Sequence, residues 1–101
     1  MSRTAKREIP LPHPGEVLRE EFLTPMGLSV YALARSIGVT RARMNEIVRG
    51  ERSITPETAL RLARYFGTSA ELWANMQSHY DLETAREALA EQLDSIRPRA
   101  A

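Results

Sequence analysis

Between Ser29 and Arg52 the chain carries side chains suited to reading a polyanion rather than to breaking bonds. Arginine donates in a planar fork that matches guanine or a phosphate, and the methyl of alanine suits the methyl of thymine. Arg41, Ala42, Arg43, Asn45, Glu46 and Arg49 fall on or beside the outward side of one short helix, because Met44, Ile47 and Val48 claim its inward side. A helix entering the major groove sets its N-terminal residues against base edges. Glu46 can accept from cytosine, or pair with Arg43 or Arg49 at three-residue spacing. Ser29 and Thr40 stand where two helices begin. There a hydroxyl caps free amides, and the same amides favour phosphate. Arg49 and Arg52 are placed to reach backbone phosphates, which set affinity and salt dependence rather than sequence preference.

Other chemistries find little support. The chain has no cysteine, which removes disulfides, thiolate metal sites and thiol catalysis. His13 and His79 are the only histidines, and nothing in the sequence forces them together with Asp81 and Glu83 into a metal site. No nucleophile elbow and no glycine-rich phosphate loop is present. The expectation is a protein without catalytic residues, metal or cofactor.

These residues are positioned by helices. The 101 residues suffice for one small domain, and apolar positions recur at helical spacing throughout, so the fold class is all-α with five to six short helices. The first helix begins at Pro14, with His13 helping to start it, buries Val17, Leu18, Phe22 and Leu23, and stops at Pro25 and Gly27. Ser29 caps a second helix that buries Leu33, Ala34 and Ile37. Thr40 caps a third that runs to about Arg49, and Thr55-Pro56-Glu57 opens a fourth that buries Ala59, Leu62, Ala63 and Phe66. Thr68-Ser69-Ala70-Glu71 fits a capping box for a fifth. Its apolar stripe of Trp73, Met76 and Tyr80, with Leu82 beyond, serves the core or a dimer interface. Leu82, Ala85, Leu89, Leu93 and Ile96 form a last amphipathic stretch, ended by Pro98, which closes the domain, pairs with its copy or meets a basic partner. The resulting division is a flexible basic arm over 1–12, a helix-turn-helix domain over 13–80, a C-terminal amphipathic helix over 81–97 and a tail over 98–101.

Charge follows this division. Thirteen of the fourteen basic residues are arginine. Residues 35–64 set seven arginines against three glutamates, whereas residues 65–96 set one arginine against six carboxylates. The basic band suits a polyanion and the acidic segment a basic partner. No apolar run reaches the roughly 20 residues of a membrane-spanning helix, and Met1–Pro12 has no apolar stretch of a signal peptide.

The stretch from Val30 to Val48 joins two short helices at Gly38-Val39. Ala34, four residues before the glycine, lets two backbones pass closely. Gly38 turns the chain, Val39 plugs the gap, and Met44 and Ile47 anchor the second helix. This is a helix-turn-helix pattern of the lambda-repressor-like kind.

Further motifs agree in order and spacing: His13-Pro14-Gly15-Glu16; Gly38-Val39-Thr40; Thr55-Pro56 with Thr58-Ala59-Leu60-Arg61-Leu62-Ala63; Phe66-Gly67-Thr68-Ser69; Leu72-Trp73; and Tyr80-Asp81-Leu82. Over about residues 13–85 the chain closely resembles HigA-type antitoxins, members of the Xre-like helix-turn-helix proteins. The resemblance implies a bacterial cytoplasmic homodimer, nucleoid-associated through its DNA. It implies repression of its own operon through a palindromic operator. It also implies neutralisation of a HigB-type toxin, a ribosome-dependent mRNA endonuclease with a RelE-like fold. By position, Thr40, Arg41, Ala42, Arg43, Asn45, Glu46 and Arg49 occupy the recognition helix, and Ser29 starts the helix before it. The alternatives are a solitary Xre-family regulator without a toxin, and a protein-interaction module that keeps the shape and has lost DNA binding.

Overall fold

The computed structural model describes residues 10–100, which form helices with no strand among them. The order is α1 (Pro14–Val17), a π-helical stretch (Leu18–Leu23), α2 (Thr24–Met26), α3 (Val30–Ile37), α4 (Arg41–Val48), α5 (Pro56–Phe66), α6 (Ala70–Ala88) and α7 (Ala90–Asp94). The cations expected to form an N-terminal arm, Arg3, Lys6 and Arg7, lie outside the described residues.

The first predicted helix is one continuous rod of α1, π-helical stretch and α2. Its widened ladder ends at Thr24, whose N–H donates to the Arg19 carbonyl. Pro25 follows, with no N–H to carry an α ladder on. Pro25 therefore sits inside the last turn instead of ending the helix, and Gly27, with φ of 61°, ends it. Val17, expected inside, is only partly buried; Pro14 and Gly15 are buried in its stead. Gly15 is a contact glycine: an added Cβ would overlap the carbonyl oxygen of Ile47, so only a bare backbone lets α1 lie against the end of α4.

The core gathers Leu18, Leu23, Leu33, Ala34, Ile37, Met44, Ile47, Val48, Ile54, Ala59, Leu62, Ala63 and Trp73, with Phe22, Val39 and Phe66 packed on it. Phe22 lies 4.9 Å from Phe66 and 5.1 Å from Trp73, ring centre to ring centre. Trp73 is 0% exposed and donates its indole N–H to the Thr68 hydroxyl at 2.8 Å. That corrects two expectations. Trp73 is interior and offers nothing to a dimer interface, because the largest side chain of the stripe fills the space between the first rod and α5. Thr68 is the acceptor that a buried indole N–H requires. The N-cap of α6 is Ser69, accepting from Leu72 N–H at 3.1 Å.

The fifth predicted helix does not stop near Tyr80. With no glycine or proline to break it, α6 continues to Ala88, so the expected boundary at 80/81 falls inside one helix. Beyond Gln77 no described residue is fully buried, and Leu82, Leu89, Leu93 and Ile96 are exposed. The molecule measures 52 × 31 × 22 Å.

Candidate nucleic-acid interface

The site starts at the turn between α3 and α4. Ser29 accepts from Ala32 N–H at 3.0 Å and Thr40 from Arg43 N–H at 3.2 Å, so each hydroxyl satisfies an amide that its helix leaves open. Gly38 adopts φ of 75°, a left-handed conformation that β-carbon-bearing residues resist. The N–H groups of Gly38 and Val39 both donate to the Ala34 carbonyl at 3.0 Å. Arg61 of α5 finishes the turn. Its Nη1 donates to the Ile37 carbonyl at 2.7 Å, while Nε and Nη2 hold Glu57 at 3.2 and 3.0 Å. A charged donor on an open carbonyl strengthens that helix end. The sequence reading missed Arg61, because its partner lies 24 residues away.

Met44, Ile47 and Val48 turn inward from α4 and leave Arg41, Ala42 and Arg43 exposed, with Asn45 and Glu46 half-buried and Arg49 exposed. These residues form one face. Among the described residues no carboxylate pairs with Arg41 or Arg43. The Arg41 guanidinium carbon lies 5.2 Å from the centre of the Tyr31 ring. At the other end Glu46 accepts from Arg52 Nε at 2.6 Å, and Arg49 pairs with Glu51 at 3.3 Å. Glu46 thus takes neither helical neighbour expected of it. The loop after Gly50 brings Arg52 closer to it than Arg43 or Arg49.

That loop is tied to α6. Gln77, buried, accepts from Ile54 N–H at 2.8 Å and donates to Asp81 at 2.9 Å. A hollow of about 130 Å³ is lined by His13, Arg52, Tyr80 and Asp81 among others. His13 caps α1 by accepting from Gly15 N–H at 2.9 Å, and its ring meets Tyr80 edge-on at 4.9 Å. Burial pushes the His13 imidazole below its ordinary range, and the nearby Asp81 carboxylate partly opposes that. Met76 and Tyr80 are half-buried and Leu82 is exposed, so these three, unlike Trp73, keep some surface, and Tyr80 and Leu82 lie beside the α4–α5 loop.

No group of three His, Cys, Asp or Glu among the described residues is placed to hold a metal ion. No described helix is long and apolar enough to cross a membrane.

Residues 18–73 match the Helix-turn-helix family. Over 97% of this chain and 90% of the relative, 34% of residues are identical to Antitoxin HigA-1 of Vibrio cholerae. The chain belongs to the HigA antitoxin family of helix-turn-helix proteins. Virulence-associated protein I of Dichelobacter nodosus is 58% identical over 81% of this chain and 76% of that protein. The solved structure of the Pseudomonas aeruginosa antitoxin HigA with higBA promoter superposes with a TM-score of 0.86 and 46% identity, covering 89% of this chain and 99% of that one. As a HigA-family member the chain is a helix-turn-helix protein. The motifs over residues 13–85 that carried the resemblance span the rod, the turn, α5 and most of α6.

Proposed function

We propose that this protein is a dimeric, sequence-specific autorepressor that reads a palindrome in its own promoter, and the antitoxin of a HigB-type mRNA endonuclease. It acts in the bacterial cytoplasm, at the nucleoid. The observation that carries the DNA reading is the exposed N-terminal end of α4, where Arg41, Ala42 and Arg43 lie beside the capped turn and neither arginine pairs with a carboxylate among the described residues. Two such helices, related by a two-fold axis, read half-sites roughly 34 Å apart. Arg41, Arg43 and Ala42 contact base edges. Arg49 and Arg52 contact phosphates, as do Ser29 and Thr40 with the remaining first-turn amides of the helices they cap, while Asn45 and Glu46 border the face. Met76, Tyr80 and Leu82 belong to the dimer contact, and the acidic outer face of α6 and α7 suits a basic toxin. The matched solved structure, an antitoxin HigA with promoter DNA, supports the reading.

A mobility-shift titration on the protein's own upstream DNA, against scrambled DNA at two salt concentrations, tests it. Selective binding that salt weakens, with one dimer per site, is the expected result. Equal binding to both DNAs would sink specific self-repression. Co-purification with the product of the adjoining small basic reading frame tests the antitoxin half.

A further inference from the structure

We propose that Tyr31 is a specificity-determining positioning residue: its ring holds Arg41 ready for a base edge. The inference rests on the DNA-reading role of α4 and extends it to a residue of the preceding helix. Tyr31 is the second residue of α3, 51% exposed and outside the core cluster, so packing does not explain a large aromatic there. Its ring lies under Arg41, the first residue of α4, at 5.2 Å.

The kind of contact matters. On this surface Arg49 and Arg52 are held by carboxylates, which accept N–H donors from the guanidinium and cancel its charge. A ring restrains the cation through its π face, takes no N–H donor and leaves the charge in place. Arg41 is therefore pre-ordered, with its hydrogen-bonding fork paired to no carboxylate among the described residues. Such ordering lowers the entropy lost when the fork meets guanine, and that gain appears only on DNA that offers the matching base. On other sequences a mobile arginine finds a phosphate equally well. Tyr31 thus acts on the ratio between matched and unmatched DNA, not on affinity in general.

The test measures binding to the natural upstream DNA and to scrambled DNA across a salt series, for wild type, Tyr31→Phe, Tyr31→Leu, Tyr31→Ala and each change combined with Arg41→Ala. Tyr31→Phe keeps the ring and is expected to keep the wild-type ratio. Tyr31→Leu keeps apolar bulk without a π face. It and Tyr31→Ala are expected to lower the ratio roughly 2- to 5-fold per half-site, the effect of losing one exposed cation–π contact, and about 4- to 25-fold on a palindrome. The salt slope stays unchanged, because no phosphate contact is lost. With Arg41→Ala already present, the same changes are expected to do nothing more. An equal loss in Tyr31→Phe, an effect that persists without Arg41, or an equal loss on both DNAs with a shallower salt slope would each overturn the proposal. A wild-type protein that does not discriminate at all would overturn the DNA reading beneath it, and that shows before any variant is made.

Discussion

The two ends of α4 carry similar residues under opposite electrostatic conditions. At the N-terminal end Arg41 and Arg43 meet no carboxylate among the described residues, and Arg41 rests on a ring. At the C-terminal end Arg49 and Arg52 are paired with Glu51 and Glu46. Counting arginines treats all four alike. The structure divides them into cations ready to be spent on a ligand and cations whose carboxylate partners must first be displaced or shared. The first kind suits base reading, where a donor must be free and aimed. The second suits adjustable phosphate contact, in which a modest exposed pair worth roughly 0.2–1 kcal/mol trims general affinity for any polyanion.

The largest way to break this contrast is to unseat one end. Gly15→Ala sets a methyl against the Ile47 carbonyl, a backbone atom that cannot rotate away. A stability loss of about 3 kcal/mol is expected, lowering Tm by more than about 10 °C. Thermal melting followed by circular dichroism checks it, and an unchanged Tm would mean that α1 does not seat α4. Next in size, Arg41→Ala is expected to cost about 1–3 kcal/mol of discrimination at one base pair of each half-site, with little change on scrambled DNA. Titration against single-base operator variants measures it. A uniform loss across all variants would move Arg41 to the phosphate-binding group.

What could be read in advance follows the range of each interaction. The caps Ser29, Thr40 and Thr55, the turn glycine Gly38 and the small Ala34 were legible because each acts within a few residues of itself. The core stripes of α3, α4 and α5 were legible because helical period alone sets them. The interactions that tune the site join separate elements. Arg61 reaches Ile37 from α5, Arg52 reaches Glu46 across a loop, Tyr31 reaches Arg41 across the turn, and Gln77 holds Ile54 from α6. No spacing rule for one helix contains such pairs. Glu46 shows the consequence: helical spacing offered Arg43 and Arg49, and a residue six positions on took the contact. Trp73 shows another, since a stripe on one helix does not say whether a neighbouring helix will cover it.

Smaller and opposite in sign is the effect of freeing a paired cation. Glu46→Gln removes a carboxylate from the phosphate-facing end and releases Arg52. Affinity for scrambled DNA is expected to rise, and the slope of log affinity against log salt to steepen by up to roughly 0.9 per bound chain, one phosphate contact. Selectivity over the natural site is expected to fall, since only the unspecific term grows. Binding isotherms at four salt concentrations measure both. An unchanged slope would show that Arg52 already contacts phosphate while it is paired.

The smallest effect is tied to pH and reaches only the C-terminal end. His13 accepts the Gly15 N–H through Nδ1, so its ring must be neutral at that nitrogen. Burial lowers its pKa below the ordinary 6.5, and the carboxylate of Asp81 only partly offsets this. The folded state therefore binds a proton less readily than the unfolded chain. The stability contributed by the neutral ring is complete above 6.5 and is lost as pH falls from there toward the lowered folded value. Tm is expected to be flat above about pH 7 and to decline below 6.5. His13→Asn keeps an N-cap acceptor without a titrating ring, so the difference in Tm between the two proteins isolates His13. Because His13 shares its hollow with Arg52 and Asp81, while Arg41 and Tyr31 lie at the far end of α4, the same acidification should alter the salt slope before it alters base preference. Base preference changing first would mean that the two ends are coupled through the helix and do not act separately.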